Sequence, residues 1–208
     1  GKTIAFGLKG DIWTIAITKP SGVAGRGAKF AKQLTRWAGD DSDFSWSKDS
    51  KKIYFVSDRN FNYGIFEVEA ATGKTRTVWS EERDVTNIRL SPDGKKLGFW
   101  VTGAEGGLFA VDLKSGKSKR IVHVPGPQWR GYGGGSFDWS PDGRWLAYTR
   151  VEDNRARNVW IVSAKGGAAE KVTRLNAFPS QPTWGPGGQY LFCYSSRSGS
   201  GIYAIPLK

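Results

Sequence analysis

Four stretches of this 208-residue chain can be laid over one another almost residue for residue. FSWSKDSKKIYFVSD begins at Phe44, IRLSPDGKKLGFWVT at Ile88, FDWSPDGRWLAYTR at Phe137 and PTWGPGGQYLFCYSS at Pro182, so the starts lie 44, 49 and 45 residues apart. A second element follows each one: GIFEVEA from Gly64, GLFAVDL from Gly107, NVWIVSA from Asn158 and GIYAIPL from Gly201, with DIWTIAI from Asp11 as a fifth copy. A polar turn (ATGK, KSGK, AKGG) then leads into a run such as TRTVW, SKRIV or AEKVT. A repeat of this length confines the chain to architectures built by stacking one supersecondary unit.

The unit itself is all-β. Its apolar runs alternate over four to seven residues and stop at Gly, Pro or Asp, whereas a helix needs apolar positions three and four apart over ten or more. Each repeat therefore reads as four short antiparallel strands, a to d, joined by hairpins, and four strands per repeat is the pattern of a β-propeller blade. In Ser140-Pro141-Asp142-Gly143, proline presets φ, Asp tolerates the bridge region and Gly takes the left-handed position of a turn between strands a and b. Ser47-Lys48-Asp49-Ser50 lacks both Pro and Gly, and is expected to be the least rigid of these turns. Gly1 to Phe6 matches Ser50 to Phe55, so the chain opens inside an a–b turn, and it closes after a strand c at Lys208. The expectation is one propeller domain over 1–208 with five blades, at about 1–43, 44–87, 88–136, 137–181 and 182–208, the first and last incomplete. Open strand edges would then be covered by remaining blades or by another subunit.

Composition narrows the function classes. The chain has 28 glycines, 10 tryptophans, one cysteine and no methionine. A chain without a start residue reads as a processed product or an excised segment. The lone Cys193, in YLFCYS, excludes an internal disulfide framework and a cysteine zinc site, and reads as a buried inert thiol; it leaves cytoplasm and periplasm both open. No window holds 18 apolar residues, the length a membrane-spanning helix needs, so a membrane is not expected as a partner. The net charge of +12 invites a nucleic-acid reading. Its lysines, however, sit in SKDSKK, DGKK, TGKTR and SGKSKR, one set per hairpin, where they serve solubility and edge protection rather than recognition.

Motifs of catalysis are absent. The single histidine, His123, cannot build a multi-histidine metal site and reads as structural; no G-x-S-x-G elbow accompanies it. TGKT at Thr72 and SGKS at Ser115 lack the upstream glycine of a phosphate loop and lie in hairpins. The acids of GDDSDF (39–44) lack the rest of a calcium loop, and no metal or other cofactor is expected.

SWSKDSKKIYFVSD, DWSPDGRWLAYTR and NVWIVSAKGGAAEKVT resemble the TolB-type propeller repeat, which is also found in tricorn-type and prolyl-oligopeptidase-type proteases. The resemblance covers nearly the whole chain, and the long first c–d connection (residues 18–44) is most similar to tricorn-type peptidases. It implies a non-catalytic propeller that binds or guides peptides or proteins, with no catalytic residue carried over. A freestanding interaction scaffold similar to TolB, and a five-bladed carbohydrate-active enzyme using paired carboxylates, are the alternatives. It also implies that b–c and d–a loops share one face. Those loops are rich in arginine and aromatics, the residue types of binding hot spots. Candidate binding residues are therefore Arg59, Trp129, Arg130, Tyr132, Arg150, Arg155, Arg174 and Arg197, with Arg59, Arg150 and Arg197 at similar places after strand b. Trp37 and Trp79 lean structural, and Trp139 and Trp184 pack between blades.

Overall fold

The computed structural model describes residues 2–17, 31–124, 135–152, 156–174, 179–196 and 199–207. Every element among them is a β-strand, and every pairing is antiparallel between chain neighbours. The chain divides into two compact units, Gly1–Glu82 and Arg83–Lys208.

The first unit holds two sheets. One contains β1 (Thr3–Leu8), β2 (Asp11–Ala16) and β3 (Lys32–Gln33); the other contains β4 (Asp41–Trp46), β5 (Lys52–Ser57), β6 (Gly64–Glu69) and β7 (Thr75–Trp79). The second unit holds three. They are β8 (Val85–Leu90) to β11 (Ser118–His123) through β9 (Lys96–Val101) and β10 (Gly107–Asp112); β12 (Phe137–Trp139) to β15 (Glu170–Lys171) through β13 (Trp145–Val151) and β14 (Arg157–Ser163); and β16 (Ser180–Trp184), β17 (Tyr190–Ser195) and β18 (Gly201–Pro206). These five sheets are blades 1 to 5 of a β-propeller. The four-stranded ones run a-b-c-d in chain order.

The turn between strands a and b is the same device in the three four-stranded blades. In blades 2, 3 and 4 the serine hydroxyl (Ser47, Ser91, Ser140) donates to the aspartate two residues on (Asp49, Asp93, Asp142) at 2.6–2.7 Å. The same Oδ1 accepts from the N–H of Lys51, Lys95 or Arg144, and the serine Oγ accepts from that of Lys52, Lys96 or Trp145 at 2.9 Å. Three side-chain bonds thus close the loop and set the register of strand b. Gly94 and Gly143 occupy the left-handed position at φ 75° and 69°. Ser50 keeps the frame without glycine, at φ 58° and with its N–H donating to Ser47 O at 2.9 Å.

Strand a carries a second recurrent feature. Its pairing with strand b shifts register between Ser42 and Ser45, between Thr86 and Arg89, and between Ser180 and Thr183. Asp43, Asn87 and Gln181 sit at these bulges with φ of 44°, 52° and 51°. Asp and Asn tolerate that conformation better than most residues do.

Strand b of blade 4 is buried on both faces, as the run Leu146–Thr149 illustrates. The reason is blade-on-blade packing. Ile53, Phe55, Phe66 and Val68 of blade 2 cluster with Ile12 and Leu34 of blade 1. Leu146, Tyr148 and Val162 of blade 4 cluster with Trp100, Leu108 and Ala110 of blade 3, the Trp100 ring edge-on to Tyr148 at 6.1 Å. Leu191 and Cys193 of blade 5 cluster with Ala147 and Val159 of blade 4. Burial raises the Cys193 thiol pKa, which suits an inert packing residue. Trp139 also packs between blades and donates its Nε1–H to Arg89 O at 3.1 Å.

Polar straps supplement these contacts. Lys32 on strand d of blade 1 donates to Ala70 O and Ala71 O, in the c–d turn of blade 2, at 3.2 and 2.6 Å. Lys119 of blade 3 donates in the same way to Lys165 O of blade 4 at 2.7 Å. At the same register blade 4 has Glu170. Along the a strands, Trp184 N–H of blade 5 donates to Asp138 Oδ2 of blade 4 at 3.0 Å. Burial nevertheless raises the Asp138 pKa above the usual carboxylate range.

Two outcomes follow. Ser50→Gly removes the cost of a side chain in the left-handed region, about 1–2 kcal/mol, against a loss of about 0.5–1 kcal/mol in chain entropy; thermal melts will show a net gain of up to about 1 kcal/mol. Asp142 titrates at about 2, chiefly because the Ser140 hydroxyl and then the Arg144 N–H favour its ionised form. A depressed folded-state pKa stabilises the fold above the ordinary carboxylate range and loses that contribution as pH falls toward 2. Asp142→Asn will therefore melt lower than the parent near neutral pH, and the two melting curves will converge as the pH approaches 2.

Candidate binding site

In blade 2 the loop that follows strand b is built on Asp58. Its Oδ1 accepts from Trp37 Nε1 at 2.8 Å and from Asp40 N–H at 3.2 Å, and its carbonyl accepts from Phe61 N–H at 3.0 Å. A side chain at Gly39 would collide with the Asp58 carboxylate, so only glycine lets the 35–40 segment approach this closely. Asp11 holds the other end of that segment, accepting from Thr35 Oγ1, Trp37 N–H and Gln33 Nε2. Thr35 Oγ1 in turn accepts from Ile12 N–H at 2.9 Å. Blade 4 repeats this pair: Thr173 Oγ1 accepts from Val159 N–H and donates to Asn158 Oδ1.

The result is a rigid mount for exposed aromatics. Trp37 is 43% exposed and Phe61 fully exposed, with Arg36 and Asn60 beside them in sequence and also exposed. Phe61 sits at φ 68°, in a region that costs a bulky residue strain and here brings it no packing in return.

Arg59 lies beneath this surface. Its Nη2 donates to both carboxylate oxygens of buried Asp41 at 2.8 and 2.9 Å, and its Nε–H donates to Ser57 Oγ at 2.9 Å. The guanidinium also lies 5.6, 5.1 and 5.0 Å from the ring centroids of Trp37, Phe55 and Phe66. The Asp41 carboxylate of the GDDSDF segment is thus committed to an ion pair. Glu67 is committed likewise: burial works to raise its pKa, but Arg76 and Lys52 outweigh burial and hold it below its ordinary value.

Within the second unit the pattern of arginine over an aromatic recurs. Arg83 lies 5.5 Å from the Phe109 centroid, and Arg150 lies 5.3 Å from that of Trp160. Phe66, Phe109 and Trp160 occupy the same position of strand c, two residues after Gly64, Gly107 and Asn158. Arg150 is not the counterpart of Arg59. It lies inside β13, paired with Asn158 as Ser57 is with Gly64, whereas Arg59 follows β5 by two residues. Arg174 is exposed just after Thr173. Trp129, Arg130, Tyr132, Arg155 and Arg197 lie outside the described residues. His123 Nδ1 stands 3.2 Å from Gly106 O.

The sequence does not single out Phe61, and it reads Trp37 as structural. The signal for Phe61 was its setting: RNFNYG puts one aromatic between two asparagines in a turn, where no apolar neighbour supports a core role. Nothing local announced Asp58, whose importance comes from residues 18 and 21 positions earlier.

Removing Arg59 leaves Asp41 buried and unpaired, a loss of about 3–5 kcal/mol. Arg59→Ala will accordingly lower the denaturation midpoint steeply, and a variant as stable as the parent would assign Arg59 to the exposed surface instead.

No protein-family model matches the chain. Among curated proteins it is 38% identical to the Tol-Pal system protein TolB of Alcanivorax borkumensis over 61 residues, 29% of this chain and 14% of that protein. It is 27% identical over 117 residues to a protein of Sulfurisphaera tokodaii described as a tricorn-like protease C-terminal subunit, covering 54% of this chain and 12% of that one. The chain thus spans only a small part of these relatives. Solved structures agree on the fold: TolB from Acinetobacter baumannii (TM-score 0.69, 17% identity, 93% of this chain and 45% of that chain) and the tricorn protease (TM-score 0.73, 16% identity, 100% and 21%). An oligogalacturonate lyase in complex with manganese is also similar (TM-score 0.73, 20% identity, 99% and 59%). Repeat and sheet order make the chain a β-propeller, similar in part of its sequence to TolB and tricorn-like proteins and similar in fold to TolB and the tricorn protease.

Proposed function

We propose that this propeller binds peptide or protein segments without catalysing their conversion, and that Trp37 and Phe61 form the contact point in the first unit. Phe61 carries the reading. A fully exposed phenylalanine in a strained left-handed conformation costs the fold stability, and such local strain is characteristic of binding sites. Asp58 fixes the Trp37 side chain and the Phe61 backbone, so little of their entropy is lost when a partner docks. Arg36 beside it supplies a cation for a carboxylate, including a peptide C terminus. TolB and the tricorn protease, both similar in fold, support a role in handling proteins or peptides, and guiding a chain toward chemistry performed elsewhere fits the tricorn-type likeness. Trp129, Arg130, Tyr132, Arg155, Arg174 and Arg197 extend this reading on sequence grounds, as further contacts on b–c and d–a loops.

Selection from a random peptide library on the immobilised chain, followed by calorimetry with the selected peptides, tests this. Phe61→Asn will weaken their binding at least about tenfold, as loss of an aromatic hot spot does. It will also raise the melting temperature, because asparagine tolerates the left-handed region. Unchanged affinity in Phe61→Asn, or a library that yields no binder, would overturn the proposal.

A further inference from the structure

Eight buried side-chain polar atoms among the described residues have no hydrogen-bond partner. Four of them belong to one junction, that of blades 3 and 4 in the second unit: Thr86 Oγ1, Trp100 Nε1, Tyr148 Oη and Trp160 Nε1. Register explains why they gather. Trp160 pairs with Tyr148 across β13 and β14, and Arg150 follows Tyr148 on the same face of β13. Thr86 pairs with Trp100 in blade 3, and the Trp100 ring meets Tyr148 edge-on. Tyr148 and Trp100 are fully buried. An unpaired buried polar group costs the fold stability, so a cluster of them points to something that pairs with them.

Arg150 caps this cluster. Its half-buried guanidinium lies 5.3 Å from the Trp160 centroid, and no oxygen of the described residues accepts a hydrogen bond from it. Lys171, 6.0 Å from the same centroid, is neutralised by Glu152 Oε2 at 2.8 Å, while Glu152 Oε1 is buried without a partner. Burial pushes the Tyr148 hydroxyl up to about 12 against the opposing charge of Arg150, so it stays protonated and able to donate. Guanidinium and indole nitrogens donate and cannot accept. Outside the Glu152–Lys171 pair, every group here can donate, and what the cluster lacks is an acceptor.

Blade 2 shows what fills such a place. There Arg59 lies over Phe66, the counterpart of Trp160, and gives buried Asp41 two bonds. Phe55 stands in the repeat where blade 4 has Tyr148. In blade 2, therefore, both rings are apolar and the carboxylate belongs to the chain. In blade 4 the repeat has Gly134 at the place of Asp41, and both rings carry a donor instead. We infer that the junction of blades 3 and 4 binds a carboxylate from outside the chain, held by Arg150 together with the Tyr148 hydroxyl and the Trp160 indole N–H. A peptide C terminus or an acidic side chain supplies that group. The guanidinium fork matches a carboxylate with two parallel bonds, and the ring beneath it fixes its plane. None of these residues belongs to the Asp58 loop, so this site and the Trp37–Phe61 contact can fail separately.

Two-dimensional proton–nitrogen NMR of the indole N–H groups tests the site, with Trp160→Phe assigning the Trp160 signal. N-acetylglycine added from about 0.1 to 50 mM, a range suited to so small a ligand, will shift that signal saturably. N-acetylglycinamide, which lacks the carboxylate, will leave it in place. Acetyl-aspartyl amide distinguishes the sources: tighter binding than N-acetylglycine assigns the site to acidic side chains, and weaker binding assigns it to C termini. Arg150→Gln will weaken binding at least about tenfold, as loss of a charge-assisted bond does. Arg150→Lys keeps the charge, loses the fork and will also weaken it, which serves should the glutamine variant lose the native circular dichroism. Tyr148→Phe will bind more weakly yet melt no lower than the parent, because the hydroxyl it removes is unpaired in the free protein; a packing role alone would not separate the two effects. A Trp160 signal that ignores N-acetylglycine, or moves as far with the amide, overturns the inference and leaves water as the partner of the cluster. Unchanged affinity in both Arg150 variants overturns it too.

Discussion

The bond from a serine hydroxyl to an aspartate two residues on sets the geometry of each complete blade. It closes the a–b turn, the closed turn sets the register of strand b, and a one-residue slip there would send every core side chain to the wrong face. Strand b is the element for which this matters most, because it packs against neighbouring blades with both faces. In blade 4, Leu146 and Tyr148 point toward blade 3 and Ala147 toward blade 5, and all three are buried. The turn is small and exposed, yet the core inherits its order from it.

Much of this was legible in the sequence because it is written in local chemistry. Ser-Pro-Asp-Gly spells its own turn, and the spacing of Phe44, Ile88, Phe137 and Pro182 spells the blade. The bulge in strand a was harder to see. Asp43, Asn87 and Gln181 align in the repeat, but only Asn and Asp hint at a left-handed backbone, and Ser136 holds the same place in blade 4. The binding surface was the least legible part. Counting arginines by their distance from strand b put Arg59 and Arg150 in one class, whereas register separates them and both lie over aromatic rings. Their charge is used within the blade: Arg59 neutralises Asp41, a partner whose burial no local pattern reveals.

The loop on Asp58 shows how stability and recognition can be divided between neighbours. Arg59 and Phe61 are two residues apart. One is anchored by an ion pair and three aromatic rings, and the other stands in solvent in a conformation that phenylalanine disfavours. Tightness below is what allows strain above, because a looser mount would let the loop relax and the ring fold down. Gly39 completes the mount by letting the preceding segment come within reach of the same carboxylate.

The lysine straps have a consequence of another kind. Lys32 and Lys119 each tie a strand d to the next c–d turn, while at the same register blade 4 has Glu170, whose carboxylate cannot donate such a bond. The junction of blades 4 and 5 relies on apolar packing and on two a-strand bonds, from Trp184 to Asp138 and from Gln181 to Ser136. Ionising buried Asp138 carries a further cost there. Within the second unit, blade 5 is therefore tied to blade 4 along the a strands, whereas blades 3 and 4 are also tied through a strand d.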